Sequence, residues 1–187
     1  MPEVLEGQLP PATGPQTPQN GVPAPSADSL LPVRERTASA SLWWLGTHGG
    51  AGESSFAGLV DAWAEAGHSW PCPAGGGPAN VVLVARTSMA GLRSAQAAAT
   101  QWAAGRAGDA NVLGLVLVAD APGKLPRPLR DVARLVSGGV PRTWSIPWIE
   151  AWRVGDIPST SVLPRDLRRL LDDLNRLTRT AASAADK

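Results

Sequence analysis

The sequence predicts a three-layer α/β/α sandwich built on a mainly parallel sheet of four or five strands. Three observations predict it. Short runs that are apolar at every position, such as Val81-Val82-Leu83-Val84-Ala85, recur along the chain. They alternate with segments whose apolar residues fall at helical spacing. Strands apolar throughout need cover on both faces, and helices between successive strands supply it.

The elements follow in order. Residues 1–40 hold eight of the 18 prolines and no aromatic residue. Such a segment buries too little surface to offset its ordering entropy, so a disordered tail is expected, as a linker or a partner-binding segment. The α/β domain is expected over residues 41–180. Leu42-Trp43-Trp44-Leu45, ending in Gly46, reads as a buried strand. Ser54 to Ala66 reads as a helix, with Phe56, Leu59, Val60 and Trp63 at helical spacing and Gly67 as its stop. A Pro/Gly-rich connection is expected from His68 to Asn80, then a strand over Val81–Ala85. Ala90 to Ala104 reads as a helix, Val112 to Ala119 as a strand, and Pro126 to Ser137 as a helix. Thr143 to Ile146 reads as a strand closed by Pro147. Pro164 opens the last helix at a favoured first position. Leu167, Leu170, Leu171, Leu174 and Leu177 form its apolar stripe. From Thr180 the chain turns small and polar, and residues 181–187 are expected to be a second disordered tail.

Composition narrows the function classes. The 187 residues carry a formal net charge of +1, which excludes nucleic-acid binding by bulk charge. Cys72 is the sole cysteine, so no internal disulfide forms, which fits the cytosol. The N-terminus is acidic and lacks an apolar signal core. The longest apolar stretch, Val112 to Ala121, is interrupted by Gly114 and Asp120 and falls short of the roughly 20 residues needed to span a bilayer. A cytoplasmic protein is expected, with no membrane partner. Lys124 and Lys187 are the only lysines, so any chemistry that needs a lysine has two positions to draw on.

The sharpest motif is Thr47-His48-Gly49-Gly50-Ala51-Gly52-Glu53-Ser54-Ser55, between the first strand and the first helix. Successive backbone N–H groups and a helix N-terminus at that place form an anion cradle. Glycines let the backbone take otherwise closed conformations and approach a phosphate. Ser54 stands where a P-loop hydroxyl reaches Mg²⁺.

The run from His48 to Ser55 resembles the deviant Walker A loop of the ParA/MinD family of P-loop ATPases, whose pattern is Lys-Gly-Gly-x-Gly-Lys-(Ser/Thr)-Thr. All three glycines and the hydroxyl position agree. Both lysines differ: the signature lysine is His48 and the phosphate-cradling lysine is Glu53. Downstream, Val81 to Arg93 is similar to the strand and helix start that follow the Walker B region in MinD-like proteins. Asp120-Ala121-Pro122-Gly123 stands where that family places base-contacting residues. Trp144-Ser145-Ile146-Pro147 is similar to the strand that ends beside its adenine site, which puts Pro147 there. The chain also resembles an uncharacterised actinobacterial family, often encoded in mobile and conjugative elements, with a Trp-Trp start and an Asp-Ala-Pro-Gly segment. The resemblance implies a P-loop-like fold and a cofactor of ATP or ADP with Mg²⁺, Ser54 touching the metal.

The departures change the expected chemistry. Phosphoryl transfer rests on positioning and on neutralising charge at the β/γ-phosphates. Glu53 brings like charge instead, and two unit charges about 4 Å apart repel by roughly 4 kcal/mol at an effective dielectric near 20. Arg86, at the end of a strand, is the cation expected at the loop, either toward a phosphate or paired with Glu53. Gly67 to Asn80 reads as loop, leaving no room for the two acid-tipped strands of the family, unless Val81–Ala85 is the Walker B strand with Arg86 in place of its acid. The expected protein is a degenerate, non-hydrolysing P-loop relative with no catalytic residue. It acts as a binding or scaffold protein, with or without bound nucleotide, in a mobile-element or partition-related setting. The alternative is an ATP-dependent dimerising switch with weak ATPase activity.

Weaker patterns stand beside this one. Gly52-Glu53-Ser54-Ser55-Phe56 resembles a nucleophile elbow but has Phe56 where that turn needs glycine. His48, His68 and Cys72 lack paired metal-ligand spacing. Lys124, Arg127, Arg130 and Arg134 give a cationic helix face that could meet DNA phosphate or an acidic partner, and is otherwise a solvated surface. Trp144, Trp148 and Trp152, with Ile149, surround Pro147 and form a candidate patch for a protein partner or a second copy in a homodimer.

Overall fold

The computed structural model describes residues 9–153, 155 and 163–185. Its strands are β1 (Val33–Arg36), β2 (Leu42–Gly46), β3 (Trp63–Gly67), β4 (Trp70–Pro73), β5 (Ala79–Arg86), β6 (Ala110–Val118) and β7 (Thr143–Ile146). Its helices are α1 (Glu53–Ala57), α2 (Met89–Ala103), α3 (Arg127–Ser137), α4 (Glu150–Arg153) and α5 (Arg165–Ala185). A single 3₁₀ turn covers Ala27–Ser29.

Five strands form one parallel sheet in the order β3-β2-β5-β6-β7. Alternate side chains of each strand serve opposite faces. Trp43, Leu45, Val81, Leu83, Leu115 and Leu117 join a core with α2 and α3. Leu42, Trp44, Val82, Val84, Val116 and Ile146 join another with Phe56 of α1 and Leu167, Leu170 and Leu174 of α5. Both faces are covered, which is why the strand runs are apolar at every position. The result is a mixed α/β architecture, a parallel five-stranded sheet flanked by helices, where four or five strands are expected.

Four expectations need correction. Ser54 to Ala66 is not one helix. It stops at Ala57, Gly58 closes it, and Trp63–Gly67 pairs in parallel with β2. Trp63 is the reason, because burying its ring against Trp44 and Leu42 requires the sheet edge. The His68–Asn80 connection contains β4, whose prolines are tolerated because it pairs only with β1 in a two-stranded parallel sheet. Residues 9–40 are not a free tail over their described length. Leu31 exchanges both backbone groups with the Gln101 side chain, and Trp70, beside β1, is fully buried in the main core. The closing tail is also revised. α5 runs on to Ala185, since Ala181, Ala182, Ala184 and Ala185 are strong helix formers. Residues 1–8 and 186–187 lie outside the described residues.

Candidate functional site

The sheet order places one crevice. From β2 the chain passes through α1 to β3 on one side, and then crosses to β5 on the other. The carboxyl ends of β2 and β5 therefore flank the switch point, where open α/β sheets hold their ligands. The glycine-rich loop follows β2 and Arg86-Thr87-Ser88 follows β5. Between them lies a cavity of about 420 Å³ lined by His48, Gly49, Gly50, Arg86, Ser88, Asp120, Trp148, Ile149 and Trp152.

The loop is built from backbone requirements. Thr47 is buried, and both its N–H and its hydroxyl donate to the Val84 carbonyl, at 2.9 and 3.2 Å. Gly50 and Gly52 have φ of +74° and +109°, conformations that side chains rarely adopt. Gly52 is the N-terminal cap of α1, Ala51 is buried beneath the loop, and Ser55 N–H donates to the Gly52 carbonyl at 3.1 Å. Ser54 is exposed on the first turn of α1.

His48 ties the loop to β5. Its Nε2 accepts the Arg86 N–H at 3.0 Å, and its Nδ1 donates to the Gly49 carbonyl at 2.9 Å. That pattern fixes a neutral ring with the proton on Nδ1. Gly91 permits the approach, since a Cβ there would lie 2.9 Å from His48 Nε2. Ser88 caps α2 by accepting the Gly91 N–H at 3.1 Å.

Glu53 is the first residue of α1. Its carboxylate turns back into the loop, where Oε2 accepts the Gly52 N–H at 3.1 Å. The group lies so close over Gly46 that a Cβ there would come within 2.5 Å of Cδ and Oε2. The residue is 8% exposed. Beside it stands His68, whose Nε2 lies 3.6 Å from Oε1, an ion pair when the imidazole carries both protons, while Nδ1 donates to the Gly46 carbonyl at 2.8 Å.

The expected Arg86–Glu53 pair is therefore not formed. Arg86 instead donates from Nε to the Gly50 carbonyl and from NH1 to the Ala119 carbonyl, both at 3.2 Å. These bonds clamp the loop to the end of β6. The helical spacing over Ser54 to Ala66 conceals His68, which reaches the loop only because Trp63–Gly67 is a strand. The signal was positional: a residue just past a strand parallel to β2 must reach the same sheet edge.

Other expected residues scatter. Asp120 lines the crevice and also a neighbouring groove, whereas Pro147 and Lys124 line only the groove. Phe56, at the would-be elbow, is fully buried and stacks on Trp44 at 4.6 Å. His48, His68 and Cys72 do not converge, and no cluster of metal-ligating groups occurs among the described residues. Of the tryptophan patch, Trp144 belongs to the core, its Nε1 donating to buried Asp173 at 3.0 Å. Trp148 and Trp152 wall the crevice. Arg127, Arg130 and Arg134 are exposed along α3, with Asp131 3.9 Å from Arg127 and 3.7 Å from Arg134. No helix among the described residues is long and apolar enough to cross a membrane.

No curated protein and no solved structure matches this chain. A family model does match, over residues 40–169, from the strand before the glycine-rich loop into the last helix. The chain belongs to the family described as Family of unknown function (DUF6668).

Proposed function

We propose that this chain is a degenerate relative of the ParA/MinD-like P-loop ATPases, which keeps the loop as a structural part and works as a protein-binding scaffold without hydrolysing nucleotide. The observation that carries the reading is the Glu53 carboxylate, already seated against the Gly52 N–H inside the loop. One backbone N–H of such a cradle, that of Gly52, is taken here by an internal anion. A phosphate entering it would meet like charge in a buried setting, where roughly 4 kcal/mol of repulsion at about 4 Å opposes binding.

The surrounding groups point the same way. Arg86 commits two donors to backbone carbonyls. The strand ends on either side of β2 carry Arg86 and His68, not the acids that would hold Mg²⁺ or orient water. A partition-related or mobile-element setting is what the resemblance implies for such a scaffold.

The test is a Glu53→Lys variant assayed for ATP binding and for phosphate release beside the unaltered chain. The unaltered chain is expected to release none above background. The variant is expected to gain affinity for ATP with Mg²⁺, because the substitution replaces repulsion by attraction in an intact cradle. ATP hydrolysis by the unaltered chain that a Ser54→Ala variant abolishes would contradict the proposal.

A further inference from the structure

Beside the crevice, a groove of about 750 Å³ runs between α3 and the end of β7. Leu117 and Ile146 give it a buried apolar floor, and half-buried Leu125 and Leu129 line it beside them. Exposed Pro126 and Pro147 add apolar surface that water reaches. Lys124, Arg130 and Arg134 line the same groove, from the loop before α3 and from α3 itself. Arg130 and Arg134 are four residues apart, so they share one face of the helix. Arg134 has Asp131 at 3.7 Å. Among the described residues no acid lies within ion-pair distance of Lys124 or Arg130. Two positive charges therefore stand unpaired beside an apolar floor.

These two properties select a ligand together. An apolar floor gains from losing its water to an apolar guest, and unpaired cations attract an anionic one. Asp120 and Asp166 narrow the choice, because they line the groove from the end of β6 and the start of α5. A nucleic-acid backbone carries a charge at every phosphate. It would bring like charge to those two carboxylates and leave the floor uncovered. A peptide segment can hold acids along one edge only, with apolar side chains next to them and neutral or basic residues toward Asp120 and Asp166.

We propose that this groove docks an acidic, apolar-edged segment of a partner protein. The partner's carboxylates meet Lys124, Arg130 and Arg134, and its apolar side chains cover Leu117, Leu129 and Ile146. Such docking gives the proposed scaffold its surface, and so rests on that reading. It uses neither the glycine loop nor Glu53. Saturable ATP binding would therefore overturn the scaffold reading and leave the test of the groove unchanged.

The probe is a library of random twelve-residue peptides displayed on phage and selected on the full chain. Selected peptides are then synthesised and their affinity measured by fluorescence anisotropy. The expected peptides combine two or more Asp or Glu with Leu, Ile or Phe, and bind more weakly as salt rises. A Lys124→Glu, Arg130→Glu variant should weaken them by about tenfold or more. Neither residue has an ion-pair partner to lose, so the fold should stand. Replacing the acids of a selected peptide by lysine should restore binding to that variant, which a misfolded chain could not do. No enrichment over bare support would overturn the proposal, as would peptides that bind the variant equally well. A short oligothymidylate that binds more tightly than the peptides and is lost in the variant would assign the surface to nucleic acid instead. Dimers in sedimentation velocity that the variant dissolves would assign it to a second copy, and would also overturn the proposal.

Discussion

Replacing Gly46 by alanine probes the seat of Glu53 directly. Gly46 ends β2 at an ordinary φ, so alanine brings no backbone strain. The three atoms nearest its added Cβ all belong to the Glu53 carboxyl group, at 2.5, 2.5 and 2.8 Å. Ordinary contact begins at 3.4 Å, so the carboxyl must retreat by 3.4 − 2.5 = 0.9 Å. That retreat breaks its 3.1 Å bond from the Gly52 N–H. A hydrogen bond to a charged group contributes about 1.5–3 kcal/mol, whereas the carboxyl, at the far end of a flexible side chain, moves aside at little further cost. Gly46→Ala should therefore destabilise the chain by about 1.5–3 kcal/mol. In a Glu53→Ala background the obstacle is gone, and the same change should cost well under 1 kcal/mol. The assay is urea unfolding of the four proteins of this cycle at a common slope. Additive costs, agreeing within about 0.5 kcal/mol, would show that the two residues do not touch as described.

Further predictions concern the same framework. Trp44 is fully buried and stacks on Phe56, so Trp44→Ala should cost about 3–5 kcal/mol in chemical denaturation. Gly50→Ala should cost about 1–2 kcal/mol from its φ of +74° alone, because no atom lies near its Cβ position. Gly49→Ala, with open space and no positive φ, should stay within about 0.5 kcal/mol, and thermal melts compare the pair. Gln101 is 2% exposed and bonds both backbone groups of Leu31 and the Arg106 carbonyl. Gln101→Leu should raise hydrogen exchange over residues 27–36 while leaving β5 and β6 protected. Equal loss of protection everywhere would show that the N-terminal arm and the sheet open as one unit.

Where pattern and burial coincide, the architecture was legible in the residues themselves. Val81 to Ala85 and Val112 to Val118 are apolar at every position and form two of the three inner strands, because only a doubly covered sheet buries them. Sequence pattern misleads where local preference is weak and a distant partner decides. Trp63-Ala64-Glu65-Ala66-Gly67 carries helix formers, yet pairing with β2 and burial of Trp63 make it a strand. Val33-Arg34-Glu35-Arg36 has no apolar alternation. It becomes a strand because β4 offers it a ladder, with the Arg36 guanidinium bonded to the Ala66 carbonyl and the Ser69 hydroxyl.

The candidate site divides the same way. The glycines and Glu53 stood out in the sequence because a carboxylate in an anion loop is chemically anomalous. The partner of Glu53 did not, since Arg86 and His68 are both cation-capable and only the placement of β3 selects His68. Lysine scarcity acquired a similar limit. Lys124 is the one lysine near the sheet edge among the described residues, and it lines the groove beside α3 instead of the loop.

In the proposed function the loop holds its own anion, the Glu53 carboxylate, in place of a nucleotide phosphate. Titration calorimetry of the unaltered chain with ATP, with and without Mg²⁺, tests it most directly. No binding heat is expected at millimolar ATP. Saturable binding at micromolar ATP would contradict it, because a phosphate would then be entering the loop despite the buried Glu53 carboxylate.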